Sequence, residues 1–474
     1  MAIDHGNVRS DELESKIDEV FRLKGMEGTM RSHMISGILP LLALIGCAPT
    51  PSEEGLDPQR VTVKIDREVR VIEPSKETGL AHEMLGMVRH PDGTIFVSTE
   101  TQGTDAALGL FKSTDVGETW EALRVNLADV RGKQYLRGLG GTRDGRLWLL
   151  HQTASADLFV SSSSDGAHTW TTTPVEFSNL APRAPKEPYV HSHNDYNTFI
   201  EQPDGTLMFS VGLSYDRGYY KNPEHLMEGL MRTDVDVGGE FMFRSTDGGK
   251  TWGDTTLVHP HVTEVGHALG PNNPDRILSM TRTQRTLLAG EDREATIKKT
   301  GCPPDTPSDE PVIYKNGLLL ESIDGGRTFH EAPGGLTDYL GHRATILWAS
   351  NNVMVVSSAA GNRENKRIMR ISLDGGKTWV DGTKAGTLLL NQSTKFVFQT
   401  APPTVSFTGP MIELSPNHFL TVYAYWEDES LKRYYQAPKN PCPQGDEPGD
   451  CPWLGIRALF WHLENLPERS ASAG

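Results

Sequence analysis

Ser245-Thr246-Asp247-Gly248-Gly249-Lys250-Thr251-Trp252 is the stretch on which the fold turns, because the same eight-residue pattern, Ser-x-Asp-x-Gly-x-Thr-aromatic, recurs along the chain. It stands at Ser113 to Trp120, at Ser322 to Phe329 and at Ser372 to Trp379, with a degenerate copy at Ser163 to Trp170 where Ala167 replaces the glycine. Each residue type suits a tight turn between two strands. The Ser and Asp side chains accept backbone N–H bonds, Gly takes positive φ, and the aromatic ring packs between neighbouring sheets. On this reading Asp115, Asp165, Asp247, Asp324 and Asp374 are structural carboxylates.

A second signal precedes the turns: an apolar strand, a turn rich in Pro, Asp, Asn and Gly, then another apolar strand. It runs over Met87 to Val97 around Pro91-Asp92-Gly93, over Leu139 to Leu150 around Arg143-Asp144-Gly145, and over Phe199 to Val211 around Pro203-Asp204-Gly205. Three more copies are Val265 to Met280, with a longer turn at Asn272-Asn273-Pro274-Asp275, Ala344 to Val356, turning at Asn351-Asn352, and Met411 to Tyr423, turning at Pro416-Asn417. Repeats at this spacing mean a radial array of small sheets, and six copies mean six blades. The alternating stretch Arg60 to Ile72 reads as an early strand and Ile456 to Leu463 as the closing one. Closure by both chain ends removes free sheet edges.

The repeated turns resemble the Asp boxes of the sialidase superfamily, and the resemblance covers nearly the whole chain after residue 59. It implies an all-β, six-bladed β-propeller of the sialidase type over 59–466 with five Asp-box turns, one blade lacking the motif, and the boxes on a rim away from the active site. Residues 467–474 read as a disordered tail.

The composition agrees. Gly is 47, Pro 30 and Trp 9 of 474 residues, which favours many short strands and tight turns. A formal net charge of -16 repels nucleic acid and anionic lipid surfaces, so neither is expected as a partner. The same field repels an anionic sugar at long range, so any arginine pocket for one acts locally.

The first 58 residues read as an address. Met34 to Ile45 is apolar, follows Arg31 and His33, is too short to span a bilayer comfortably, and stops at Gly46-Cys47. Leu44-Ile45-Gly46-Cys47 resembles the bacterial lipobox, which implies 34–46 as a lipoprotein signal-peptide core, lipidation of Cys47, a tether over 47–58 and export to the periplasm or cell surface. A membrane is then met only through the anchor. The alternative is a buried helix. Residues 1–33, with a charged amphipathic stretch from Asp11 to Lys24, form an N-terminal extension that sits awkwardly before a signal peptide. Of the remaining cysteines, Cys442 and Cys451 flank one loop, where bonded and free states are both open, and Cys302 is an inert odd thiol.

The family resemblance also assigns chemistry: three arginines bind a sugar carboxylate, an Asp protonates the leaving group, and a Tyr activated by a Glu attacks. Carried over residue by residue, it implies Glu264 at the opening of blade four and Arg282, with Arg285 as a substitute, at the end of the partner strand. It implies Arg343 beside His342 at the entrance of blade five, and Asp105 as acid on the loop before the first box. Two positions depart from the pattern. Glu83 stands where the first arginine is expected, and Thr408 where the nucleophilic Tyr is expected. The cluster His191-Ser192-His193-Asn194-Asp195-Tyr196, at the entrance of blade three, could supply sugar hydrogen bonds, a His base or a replacement Tyr. Tyr423 and Tyr425 are further phenols, read as packing residues. No Cys/His spacing indicates a metal, and no cofactor is expected. The expected protein is a monomeric, exo-acting glycoside hydrolase taking a terminal acidic sugar from a glycan. The alternatives are a non-catalytic glycan- or partner-binding propeller and a different hydrolysis centred on His191 to Tyr196.

Overall fold

The computed structural model describes residues 61–466 except 73–79, 103–108, 124, 126, 128–133, 154–156, 176–188, 191–198, 215–237, 261, 286–291, 293, 296–313, 333–339, 361–365, 380–387, 390–408 and 426–454. These residues form strands almost throughout. After β1 (Thr62–Ile72), blade one is β2 (Leu80–Arg89), β3 (Ile95–Gln102), β4 (Gly109–Ser113) and β5 (Glu121–Leu123). Blade two is β6 (Gln134–Gly141), β7 (Leu147–Thr153), β8 (Leu158–Ser163) and β9 (Thr171–Pro174). Blade three begins in two pieces, β10 (Tyr189–Val190) and β11 (Ile200–Glu201), both paired to β12 (Leu207–Ser214), and continues with β13 (Gly238–Ser245) and β14 (Gly253–Pro260). Blade four is β15 (Val262–Gly270), β16 (Asn273–Arg285), β17 (Tyr314–Ser322) and β18 (His330–Glu331); blade five is β19 (Leu340–Trp348), β20 (Met354–Ala360), β21 (Lys366–Ser372) and β22 (Leu388–Leu389). Blade six is β23 (Met411–Ser415), β24 (His418–Tyr425) and β25 (Gly455–Glu464), and β1 completes it by pairing with β25 from Thr62↔Glu464 to Ile72↔Ile456.

Every sheet is antiparallel, and the first strands of neighbouring blades touch: β2 meets β6, β15 meets β11 and β19, and β23 meets β19 and β2. They form the inner wall. The architecture is a six-bladed β-propeller, closed by one strand from the front of the chain and three from its end.

Six clusters of buried residues, one at each seam between blades, take the place of a single core. Phe96 and Leu110 meet Leu136 and Leu147 between blades one and two; Trp148 and Leu150 meet Phe209 and Phe243 between two and three. Met208 and Met242 meet Ile277 and Leu320 between three and four, and Leu278 and Met280 meet Ile346 and Met354 between four and five. Val355 and Ile371 meet Phe419 and Trp461 between five and six, and Ile95 and Val97 meet Leu420 and Phe460 across the closure. Each second strand feeds two seams from alternate residues, so it reads as an unbroken apolar run; β1, at the outer edge, keeps the period-2 alternation of a one-sided strand. At roughly 1.5–3 kcal/mol for each fully buried large side chain, the seams supply the main cohesion of the ring.

Polar bonds pin the same six seams at the end where first strands turn into second strands. His90 Nε2 meets the Gly145 carbonyl at 2.8 Å, the Arg143 N–H donates to Glu201 at 2.6 Å, and Arg244 donates to the Gly326 carbonyl. Arg276 donates to the Gly375 carbonyl at 2.8 Å, the Ser350 N–H to Glu413 at 2.8 Å, and Arg89 to the Leu414 carbonyl at 2.6 Å.

The five box turns form by the chemistry read from sequence. In the third copy the Ser245 hydroxyl donates to Asp247 at 2.8 Å and accepts the Gly249 N–H at 2.8 Å, while Asp247 accepts the N–H and hydroxyl of Thr251 at 3.0 and 2.6 Å. The other four repeat this set. Two consecutive residues take positive φ in every copy, which exposes two exceptions to glycine: Val116 (φ 62°) in the first box and Ala167 (φ 74°) in the second. Ala167 has a compensation, its methyl lying in the blade one–two cluster. Val116 is 43% exposed and has none. Val116→Gly is therefore expected to raise stability by about 1 kcal/mol, a relief of left-handed strain partly offset by unfolded-chain entropy, measurable by denaturant unfolding.

One turn differs from the sequence reading. The expected loop Asn272 to Asp275 is a tight turn at Pro271-Asn272, and Asn273 already pairs with Gly270. The Asn273 side chain accepts the Asp275 N–H at 3.2 Å and the Asp275 carbonyl accepts the Gly325 N–H at 2.9 Å, so the segment is held as strand against its own blade's box turn.

Candidate functional site at the mouth of the propeller

Antiparallel alternation puts two kinds of connection at opposite ends of the ring. The turns joining first to second strands and the box turns share one end. At the other, first strands begin, second strands finish and third strands start. The second strands change character on the way there. Ile95-Phe96-Val97 gives way to buried Ser98 and Thr99; Leu147 to Leu150 is followed by buried His151, Gln152 and Thr153; Ile277 to Met280 is followed by buried Thr281 and Arg282. In these three blades the second strand is apolar toward the turn end and polar at the mouth.

The inner strands are distorted at the mouth in a repeating way. Pairing passes from Met84↔Thr99 to Gly86↔Ser98 in blade one and from Leu136↔His151 to Gly138↔Leu150 in blade two, leaving Leu85 and Arg137 as extra residues. It passes from Thr263↔Arg282 to Gly266↔Met280 in blade four and from His342↔Ala359 to Thr345↔Ser357 in blade five, so Glu264-Val265 and Arg343-Ala344 each oppose a single residue. Leu85, Arg137 and Ala344 each stand four positions before the residues, Arg89, Gly141 and Trp348, that pair last before the turn, and Val265 stands five before Gly270. Bulges unpair and redirect a residue, and they concentrate at sites where a side chain must be aimed.

The residues expected from sequence fall as follows. Glu264 is in the blade-four bulge, next to Thr263, the partner of Arg282. Arg282 is 5% exposed and continues the row of Leu278 and Met280, which faces the seam with blade five. Arg285 ends β16 opposite Tyr314, His342 pairs with Ala359, and Arg343 is in the blade-five bulge. Glu83 pairs with Glu100 at the start of β2. All six belong to the mouth end. Asp105, His191, His193, Asp195 and Tyr196 lie outside the described residues, as do Thr408, Cys47, Cys302, Cys442 and Cys451. In sequence, Asp105 falls between β3 and β4, a mouth-end connection, and His191 to Tyr196 falls between β10 and β11.

Tyr423 is a packing residue: it is 2% exposed in the blade five–six cluster, and its hydroxyl donates to Glu68 at 2.7 Å, where Arg457 also donates at 2.5 Å. Tyr425 ends β24 opposite Gly455.

Two charged residues at the mouth were not singled out from sequence. Arg137, in the blade-two bulge, is 4% exposed. Glu240 is fully buried near the start of β13, between Gly212 and His259, on the side of that strand from which Met242 faces blade four. Arg137 stands inside the run Leu136 to Leu139 with nothing in the sequence to mark the bulge, and Glu240 follows the long connection 215–237 and carries no pattern.

Three box carboxylates and two buried imidazoles among the described residues are occupied structurally. The Thr119 hydroxyl and N–H, with Ser113, hold the Asp115 carboxyl at about 2, and Thr251 and Ser245 do the same for Asp247. Burial pushes Asp324 upward, yet its bonds from Thr328 and Ser322 leave it at about 2. His151 and His267 are pushed down to about 3 by burial. His151 contacts the Ser161 hydroxyl at 2.7 Å, and His267 bridges Ser279 and Ser210 at 2.7 Å each, joining blades three and four. Among the described residues, no group of three His, Cys, Asp or Glu side chains could hold a metal ion.

Against known proteins, no family model matches the sequence and no curated protein is similar to it. Solved structures do share the fold. A protein of unknown function from Dyadobacter fermentans is similar over 84% of this chain and 99% of its own at 15% identity, with a TM-score of 0.53. NanB sialidase from Streptococcus pneumoniae aligns over 83% of this chain and 70% of its own at 9% identity (TM-score 0.47), and Trypanosoma rangeli sialidase over 85% and 59% at 11% identity (TM-score 0.44). Identities this low speak to fold alone. The class defined by the chain's own sheets is the six-bladed antiparallel β-propeller; what it does at its mouth is a separate question, since one propeller hosts many functions.

Proposed function

We propose that the protein is an exo-acting glycoside hydrolase that removes a terminal acidic sugar, of the sialic, uronic or ulosonic kind, from extracellular glycans. The observation that carries this reading is the repeated bulge at the mouth, which holds Glu264 and Arg343 at one level of the inner wall with Arg282 buried at the adjoining seam. Guanidinium forks match a sugar carboxylate, and a carboxylate between them activates the attacking group. In this proposal Arg282 and Arg343 clamp the acid, Glu264 serves as base or as partner of the nucleophile, and Asp105 protonates the leaving oxygen. Arg285 and His342 wall the site. His191, His193, Asp195 and Tyr196 contribute sugar hydrogen bonds, a His base or the phenol that Thr408 cannot provide.

Export on a lipid anchor at Cys47 belongs to the same proposal. The chain enters the propeller through β1, whose Thr62 pairs with Glu464 at the turn end, so its point of entry is opposite the mouth.

A non-catalytic glycan binder is the second reading, favoured by Glu83 pairing with Glu100: two carboxylates occupy blade one where the family resemblance calls for an arginine. Release of fluorophore from a sialoside and a panel of uronides and ulosonides separates the two. Turnover of any member is the result expected; saturable binding of acidic sugars with no turnover would establish the binder in its place.

A further inference from the structure

We infer that His267 is a positioning residue: bonded to Ser279 in its own blade and to Ser210 in blade three, it fixes the strand from which Glu264 acts. The inference rests on the reading of Glu264 as the catalytic carboxylate. Below the bulge, four inner strands run through the same order of pairs. A small residue comes first, in Gly86↔Ser98, Gly138↔Leu150, Gly266↔Met280 and Thr345↔Ser357. The next pair is Met87↔Val97 in blade one, Leu139↔Leu149 in blade two and Ile346↔Val356 in blade five, a buried apolar side chain opposite another each time. Met87, Leu139 and Ile346 all belong to the cluster shared with the preceding blade. In blade four the pair is His267↔Ser279.

Hydrocarbon therefore suffices to seat an inner strand beneath this bulge in the other three blades. Blade four departs from it at a cost, since His267 is 4% exposed, Ser210 and Ser279 are fully buried, and desolvating three polar groups is unfavourable unless they bond one another. What the polar groups add is direction. Apolar packing holds a strand without fixing its place to a fraction of an ångström. Contacts of 2.7 Å between Nδ1 and the Ser279 hydroxyl, and between Nε2 and the Ser210 hydroxyl, fix the ring against two blades at once. A neutral imidazole donates from one nitrogen and accepts at the other, and each hydroxyl rotates to match. Burial keeps the ring neutral, so these bonds do not change as pH crosses the neutral range. Glu264 stands three residues before His267, and between the bulge and His267 only Gly266 is paired. A shift of β15 at His267 is thus passed directly to the carboxylate, and a small misplacement of a reacting group is enough to slow chemistry.

The test uses the full chain with a fluorogenic sialoside and fluorogenic uronides and ulosonides. Ser210→Ala, Ser279→Val and His267→Leu together rebuild the seam as blade two builds it, with Leu139 opposite Leu149, and strand no polar group. This triple variant is expected to unfold at or above the wild-type midpoint, while kcat falls about 10–100-fold and KM changes only a few-fold. His267→Gln, whose amide keeps one donor and one acceptor, is expected to recover most of the lost kcat. In a Glu264→Gln background the triple substitution is expected to cost nothing further, because the bonds act through that carboxylate. Wild-type kcat in the triple variant, or the same loss in the Glu264→Gln background as in the wild type, overturns the inference and leaves the acidic-sugar reading standing. So does a lowered unfolding midpoint matched by an equal kcat loss in His267→Gln, which assigns the bonds to folding alone. If the wild type turns over none of the glycosides, or Glu264→Gln is as fast as the wild type, the inference falls together with the reading beneath it.

Discussion

Glu264→Gln is expected to lower kcat on an acidic glycoside by about 10²–10⁴-fold with KM changed only a few-fold, the range that loss of a positioned acid–base group produces. Gln keeps the size and hydrogen bonding of the side chain but has no carboxylate to take a proton or polarise a nucleophile. Glu264 opens the inner strand of blade four at a register shift, so no cross-strand ladder depends on its charge. Unfolding midpoints within about 1 kcal/mol of wild type would show that the rate loss is chemical. Wild-type turnover in the variant would remove Glu264 from the mechanism.

The second large effect is on stability in acid. His151 and His267 are held near 3 by burial, against about 6.5 for an exposed imidazole. Below pH 6.5 the unfolded chain binds protons that the folded chain refuses, so stability falls as pH drops from about 6.5 toward 3. The Asp boxes act in a lower window. Asp115, Asp247 and Asp324 titrate at about 2 in the fold and near 4 when unfolded, so their contribution is complete above pH 4 and lost as pH falls through 2. The two imidazoles alone are expected to lower the unfolding free energy by several kcal/mol between pH 7 and pH 3, and His267→Gln to flatten the upper part of that decline. A profile flat from pH 7 to pH 4 would contradict the burial of the two imidazoles.

The contrast between what the sequence revealed and what it hid is physical. The box turns are legible because one Ser, one Asp and one Thr close their hydrogen bonds within eight residues, with no help from distant chain. Second strands are legible because both faces are buried and the run is apolar throughout. Closure was readable from the alternation in β1, which has one wet face. The first strand of blade three was not, since β10 and β11 hold two residues each and carry no period. Most of the mouth residues were located through a family resemblance and the order of the strands. Arg137 escaped because a bulge is a property of pairing: nothing in Leu136-Arg137-Gly138 announces that His151 and Leu150 will be consecutive partners of the residues on either side. Glu240 escaped because its neighbours, Gly212 and His259, are remote in sequence.

The central claim is that function sits at the mouth, away from the box-turn rim. A crystal structure of the chain with a bound acidic sugar tests it most directly. The account places the sugar on the axis among the ends of the first strands, its carboxylate about 2.7–2.9 Å from the guanidinium nitrogens of Arg282 and Arg343. A sugar held at the turn end, on the rim near Asp247, or on the outer face of a blade would contradict it.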